Sequence, residues 1–131
     1  MGGQKVALIV GAGSGLSASL AQTFSAEGMN IALAARNTDK LSALADQTGA
    51  KLYNCDAVDA EQVDHLFSAV MEQLGTPNVV VFNASSRVRG EITKINPEEV
   101  RDALLVTAFG GFLVGQAAAK LMVPAGQGTI F

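Results

Sequence analysis

The sequence is poor in the residues that mark several large classes of protein. It has no tryptophan, one tyrosine and one cysteine, Cys55. A single cysteine excludes an internal disulfide and is typical of a reducing compartment, so we expect a cytoplasmic protein. Charged residues make up only 16% of the chain, and the net charge is −3 with no basic run. This balance argues against nucleic acid as a main partner.

Long apolar runs and metal-binding clusters are also missing. No uninterrupted apolar stretch reaches the roughly 18 residues typical of a membrane-spanning helix, and the N-terminus does not resemble a signal peptide. The sequence therefore predicts no membrane attachment. Because it contains one histidine and one cysteine without metal-ligand spacing around them, it also predicts no metal site.

What the sequence does have is a regular alternation of strand and helix patterns along 131 residues, 49% of them hydrophobic. Strands are predicted at 5–10, 30–35, 51–53, 78–83 and 128–131. Helices are predicted at 15–27, 39–48, 60–74 and 97–122. This alternation is typical of an α/β protein with a doubly wound, Rossmann-type parallel sheet of order 3-2-1-4-5 and helices on both faces.

Local signals define the ends of these helices. We expect Asp39 to cap the second helix and Asp59, with Gln62 three residues later, to cap the third. Asn96 is the expected N-cap of the fourth helix, and Pro124 is expected to end it. In the first helix, apolar residues at i, i+4 and i+8 predict the buried face: Leu16, Leu20 and Phe24.

A glycine turn separates the first strand from the first helix. Glycine lets the backbone approach a ligand closely, and the helix N-terminus offers N–H groups to a phosphate. The spacing is not Gly-x-Gly-x-x-Gly, because Leu16 occupies the last position. It fits Gly-x-x-x-Gly-x-Gly through Gly11 and Gly15, with Ser17 in the last place. The alternative interpretation is a tight strand–helix turn with a structural role only.

The residues that follow the second and third strands favour a particular dinucleotide. A carboxylate after the second strand would favour NAD(H), but this position holds Arg36, whose guanidinium can pair with the 2′-phosphate of NADP(H). NADP(H) is therefore the preferred cofactor and NAD(H) a possible one. Asp56 can accept the adenine amino group. The alternatives are a solvated surface charge for Arg36 and a turn aspartate for Asp56.

Together these features resemble the short-chain dehydrogenase/reductase family. Its glycine motif is similar to residues 11–17, its NADP-preferring strand end to Ala35-Arg36, its adenine-contacting pair to Asp56-Ala57, and its Asn-Ala-Gly motif to Asn83-Ala84-Ser85. The resemblance covers essentially the whole chain, but only the cofactor-binding half of a family member. It implies a set of cofactor-binding residues: Gly11, Gly13, Ser14, Gly15, Leu16, Arg36, Asp56, Ala57, Asn83 and Ala84.

The chain also departs from the family pattern. Ser17 and Ser85 replace glycines, and Thr107 stands where many members carry an asparagine that holds a water of the proton relay. The family's Tyr-x-x-x-Lys motif has no counterpart, because the residue four places after Tyr53, the single tyrosine, is Ala57. The family's catalytic serine is expected a few residues beyond the fifth strand, past Phe131. We therefore assign no catalytic residue and interpret residues 1–131 as one NAD(P)-binding domain, truncated in or after the fifth strand.

Two functional hypotheses follow from the resemblance. The first is hydride transfer between NADP(H) and a small-molecule carbonyl or alcohol substrate, with catalysis completed by a downstream segment. The alternative is a non-catalytic NADP(H)-binding or interaction module that ends naturally near Phe131. The resemblance also implies a homo-oligomer formed through helix 97–122, because the corresponding helix contributes to subunit interfaces in family members.

Four other residues have plainer interpretations. Cys55 is predicted to be structural, since no basic neighbour would lower the pKa of its thiol. His65 is also predicted to be structural, because it lies beside the core residues of its helix. Arg87 and Arg89 could face an anionic substrate or a cofactor phosphate, and the alternative is a solvated loop.

Overall fold

Five parallel strands form one sheet in the computed structural model, which describes residues 3–131. The strand order is β3-β2-β1-β4-β5, as the sequence predicts. The strands are β1 (Val6–Val10), β2 (Asn30–Ala35), β3 (Lys51–Asn54), β4 (Val79–Phe82) and β5 (Thr129–Ile130). Because β1 is buried along its whole length between β2 and β4, its residues are apolar on both faces.

Helices cover both faces of the sheet, and the predicted fold class is confirmed. They are α1 (Leu16–Ala26), α2 (Ser42–Thr48, preceded by a 3₁₀ turn at Asp39–Leu41), α3 (Ala60–Gln73), α4 (Pro97–Leu104) and α5 (Gly110–Ala125). A π-helical segment, Leu105–Phe109, joins α4 to α5. One apolar core lies between the sheet and α3 with α5, and the other lies between the sheet and α1 with α2.

The buried face of α1 differs from the predicted one. Leu16 is 61% exposed, whereas Ser17 and Ala21 are fully buried. Leu20 and Phe24 are only partly buried against the core. Small side chains thus face the sheet, which lets α1 lie close to it, and Leu16 stands at the open N-terminal end of the helix.

Two of the predicted helix caps are present and one is wrong. Asp59 accepts hydrogen bonds from the backbone N–H groups of Glu61 and Gln62 at 3.0 and 3.1 Å, and Asn96 accepts from the N–H of Glu98. Asp39 does not cap its helix. It lies inside the 3₁₀ turn, and the side chain of Asn37 accepts its N–H instead.

The predicted end of the long helix is also wrong. Pro124 lies inside α5, which continues to Ala125 and ends at Gly126 with a left-handed φ of 67°. A proline so close to the end removes a single backbone hydrogen bond. Gly110 and Gly111 do not break the helix. A Cβ on either would lie 3.3 Å from the Ala57 carbonyl oxygen or the ring of Phe82, so glycine permits a close crossing of the sheet.

The helical stretch Pro97–Ala125 is long and apolar enough to cross a membrane by length and composition alone. It spans 29 residues, with a mean hydropathy of 1.5 in its most apolar window, and 22% of that window is buried. Counting uninterrupted apolar runs missed it, because polar residues are scattered along it. Val114, Ala117, Ala118 and Met122 on α5 pack into the core beneath the sheet.

Candidate functional site

A cavity of about 530 Å³ opens at the carboxyl ends of the strands, where the chain order reverses between β1 and β4. Ligands of doubly wound sheets bind at this switch point. Three walls form it. They are the glycine turn after β1, the segments after β2 and β3, and the segment after β4.

The glycine turn rests directly on the end of β4. Gly11 has a left-handed φ of 83°, and its N–H donates to the Ala34 carbonyl at 2.9 Å. A Cβ at this position would lie 2.3 Å from the backbone nitrogen of Ala84, well inside van der Waals contact. Gly11 is therefore required both for the conformation of the turn and for the approach of the two walls.

The N-terminus of α1 presents unpaired backbone donors beside this turn. Its N-cap, Gly15, makes no side-chain capping bond. Within residues 3–131, no hydrogen bond engages the N–H groups of Gly13, Ser14, Gly15 or Leu16. Four such donors together with the positive end of the helix dipole form a site that suits an anionic group such as a phosphate.

Two cationic side chains line the opposite end of the cavity. Arg36 follows β2 as expected, and Lys40, which the sequence analysis missed, joins it from the 3₁₀ turn. In the part of the chain that the structure describes, neither forms a salt bridge with a carboxylate. Both charges are exposed and remain available to an anion.

Asp56 combines a turn role with a place in the cavity wall. Its Oδ1 accepts the N–H of Val58 at 3.2 Å, and its own N–H donates to Oε1 of Gln62 at 2.9 Å. The alternative interpretation as a turn aspartate therefore describes one of its functions. The second carboxylate oxygen makes no hydrogen bond within residues 3–131, and Asp56 and Ala57 both line the cavity.

The end of β4 supplies the third wall. The backbone N–H of Asn83 donates to the Val10 carbonyl at 2.8 Å, and its side-chain Nδ2 donates to the hydroxyl of Ser17 at 2.8 Å. Ala84 and Ser85 line the cavity beyond it. Their small side chains leave the opening free for a flat ring system.

Seven of the ten predicted cofactor residues line the cavity: Gly11, Gly13, Arg36, Asp56, Ala57, Asn83 and Ala84. The other three, Ser14, Gly15 and Leu16, lie at the start of α1 outside the cavity lining. Lining residues that sequence reasoning missed include Asn37, Lys40, Val58 and Val106. Val106 carried no sequence signal, because only the π-helical segment brings it to the cavity.

Thr107, in the same π-helical segment, is tied to the loop after β4. Its hydroxyl accepts the N–H of Ser86 and donates to the carbonyl of Ser86, both at 3.1 Å. This hydroxyl therefore anchors the loop. The family resemblance aligns Thr107 with an asparagine that holds a water in many family members. π-Helical segments often occur at functional sites.

The remaining candidate residues have structural surroundings. Cys55 is buried in the core and lines the cavity floor, where burial, followed by the charges of Asp56 and Asp59, raises the pKa of its thiol to about 11. His65 is exposed on α3. Across residues 3–131, no group of three or more His, Cys, Asp or Glu side chains could hold a metal ion.

The sequence is similar to those of curated oxidoreductases over almost the whole chain. The chain is 31% identical to D-threitol dehydrogenase of Mycolicibacterium smegmatis over 131 residues, covering 96% of this chain and 50% of that protein. It is 30% identical to an uncharacterized oxidoreductase of Staphylococcus epidermidis, covering 97% of this chain and 56% of the relative. The chain thus spans about half the length of the curated relatives it matches.

Solved structures give the same result. A short-chain dehydrogenase/reductase from Mycobacterium marinum superimposes with a TM-score of 0.91 at 32% identity, covering 96% of this chain and 53% of the other. An F189W actinorhodin polyketide ketoreductase with NADPH superimposes with a TM-score of 0.91 at 27% identity, covering 97% and 51%. The family model for short chain dehydrogenases matches residues 5–131. The chain therefore belongs to the short-chain dehydrogenase/reductase family of oxidoreductases and corresponds to its N-terminal, nucleotide-binding portion.

Proposed function

We propose that this chain is the NADP(H)-binding part of an oxidoreductase that transfers a hydride between the nicotinamide and a carbonyl or alcohol substrate. The observation that carries the cofactor preference is the pair of exposed cations, Arg36 and Lys40, at the end of the cavity where the adenine ribose of a dinucleotide would lie. A carboxylate there would repel a 2′-phosphate, and a guanidinium binds it in a fork geometry. The ketoreductase neighbour, which is described with NADPH, supports the same preference.

The residues of the cavity and of the adjoining start of α1 suit a dinucleotide. The four N–H groups at the start of α1 would hold its pyrophosphate, and Asp56 would accept the adenine amino group at the third strand end. Asn83 and Ala84 would border the path toward the nicotinamide. When bound, the nicotinamide supplies or accepts the hydride, and the protein positions it.

We assign the proton chemistry to residues outside this chain. Residues 1–131 contain no Tyr-x-x-x-Lys motif, and the hydroxyl of Thr107 is engaged by Ser86. The intact mass of the protein from its natural source tests this assignment. A mass well above the 13.5 kDa of this chain supports a longer reductase. A mass of 13.5 kDa supports the alternative, an NADP(H)-binding module without catalytic activity.

Substituting Arg36 tests the cofactor preference. The Arg36→Ala variant is expected to lose a charge-assisted contact worth about 1.5–3 kcal/mol, or roughly a tenfold to hundredfold loss of NADPH affinity. NADH affinity should stay nearly unchanged, because NADH has no 2′-phosphate. Fluorescence titration of both cofactors measures the difference, with Lys51→Ala on the exposed edge strand as the matched control. An equal loss for both cofactors would refute the assignment of Arg36.

We further propose that the working protein is a cytoplasmic homo-oligomer without nucleic acid or membrane as partner. The support for self-association is an exposed apolar face along the long helix, formed by Val100, Leu104, Leu105, Phe109 and Phe112. A contiguous apolar patch of this kind marks an interaction surface. A second copy of the same helix would cover it with a matching surface.

A further inference from the structure

Two walls of the cavity meet beneath it, and their junction fixes how far apart they stand. The end of β1 pairs with the end of β4 through the hydrogen bond from the Asn83 N–H to the Val10 carbonyl at 2.8 Å. The glycine turn, which follows β1, contacts the segment after β4 through the close approach of Gly11 to Ala84. Because both walls line the cavity, a small change at this junction alters the width of the ligand site.

Ser17 places a hydroxyl inside this junction. Within residues 3–131 it is the one polar residue in the fully buried core, with 0% of its surface exposed. Its Oγ accepts a hydrogen bond from Nδ2 of Asn83 at 2.8 Å and donates to the Gly11 carbonyl at 3.4 Å. One hydroxyl therefore links the glycine turn, the end of β4 and the first turn of α1.

Packing alone does not explain a serine at this position. Ala21, one turn later on the same face of α1, is equally buried and apolar. A buried hydroxyl costs free energy unless it is hydrogen-bonded. Here the hydroxyl is bonded on both sides, and its partners are the two segments that border the ligand site.

We propose that Ser17 is a positioning residue for the cofactor. Its hydroxyl sets the spacing between the glycine turn and the end of β4, and so it sets the affinity for the dinucleotide. Ser17 does not line the cavity; it acts through Gly11 and Asn83. This inference rests on the proposed NADP(H) site.

The test compares Ser17→Ala with Ala21→Gly in this 131-residue chain. Ser17→Ala removes only the bridging hydroxyl, whereas Ala21→Gly weakens the same helix at an equally buried site that has no side-chain hydrogen bond to either cavity wall. NADPH affinity is titrated by fluorescence at a temperature where every variant is folded, and the free energy of unfolding is measured separately. We expect Ser17→Ala to weaken NADPH binding roughly fivefold to tenfold, with little change for Ala21→Gly despite its lower stability.

Asn83→Ala supplies a second variant from the partly exposed end of the bridge. Combined with Ser17→Ala it completes a double-mutant cycle, and the combined loss of affinity should be clearly smaller than the sum of the single losses. Should Ser17→Ala fail to fold, Asn83→Ala alone tests the bridge, and unchanged NADPH affinity in that variant would overturn the proposal.

The outcomes separate this inference from the function on which it rests. If the unmodified chain binds neither NADPH nor NADH, the proposed function and the inference fail together. If the unmodified chain binds NADPH and Ser17→Ala binds it equally well, only the inference fails. The inference alone also fails if Ser17→Ala and Ala21→Gly reduce NADPH affinity equally, or if the affinity losses in the double-mutant cycle are additive. Either result would mean that the loss of affinity comes from general destabilisation.

Discussion

At the scale of single residues, the surroundings of Cys55 determine its chemistry. The thiol is buried in the core, and its pKa is raised to about 11. A thiol attacks reagents as the thiolate. At pH 8, the fraction of thiolate is therefore about a hundredfold lower than for a thiol at its ordinary pKa of 9.0. Cys55 should stay unreactive although it lines the cavity floor.

A disulfide reagent measures this directly. We expect Cys55 in the folded chain to react with an aromatic disulfide at pH 8 at least about a hundredfold more slowly than in the urea-unfolded chain. The unfolded chain is the internal control, because it contains the same single cysteine. Equal rates in the two states would mean that the thiol is accessible and ionised, contrary to the surroundings described above.

At the scale of elements, the cap of α3 makes the stability of the protein depend on pH. Hydrogen bonds from the backbone and side chain of Gln62, together with the N–H of Glu61, lower the pKa of Asp59 in the folded state. A carboxyl with a lowered folded-state pKa stabilises the fold above its ordinary pKa of 3.8. That contribution disappears as the pH falls below this value through the folded-state pKa.

Removing the cap should therefore cost stability at neutral pH and cost less in acid. The Asp59→Ala variant is expected to have a lower melting temperature than the unmodified chain at pH 7. The difference should shrink as the pH drops below 3.8. Asp64→Asn, which removes a carboxylate from the middle of the same helix, serves as the control. A difference that stays constant between pH 7 and pH 3 would contradict the role of the ionised carboxylate.

Elements were also the scale at which the sequence was most informative. Strand–helix alternation predicts the order of the sheet correctly, because right-handed crossovers leave few alternatives. The errors at Leu16, Asp39 and Pro124 arise at helix ends. The sequence there does not define the first or last residue of a helix to better than one or two positions. Spacing predicted Arg36 and Asp56 at strand ends. Lys40 and Val106 reach the cavity through tertiary packing, which no local pattern encodes.

At the scale of the whole molecule, the distribution of apolar surface is uneven. Strands β1 to β4 pack against a core on each face of the sheet, yet β5 and the long helix keep apolar side chains in solvent. Phe109 is 43% and Phe112 58% exposed, and their rings stack with centroids 6.5 Å apart. Two neighbouring exposed phenylalanines are costly in water, so the isolated chain should lower its free energy by associating through this face.

Light scattering coupled to size-exclusion chromatography tests this expectation. We expect the unmodified chain to elute as a dimer or larger species and Phe112→Lys to shift the equilibrium toward the monomer, because a buried lysine without a partner opposes association. Ile92→Lys is the matched control, since Ile92 is 89% exposed in the loop before α4, outside the proposed contact. A sharp monomer peak for the unmodified chain, or equal shifts for the two lysine variants, would exclude this face as the site of self-association.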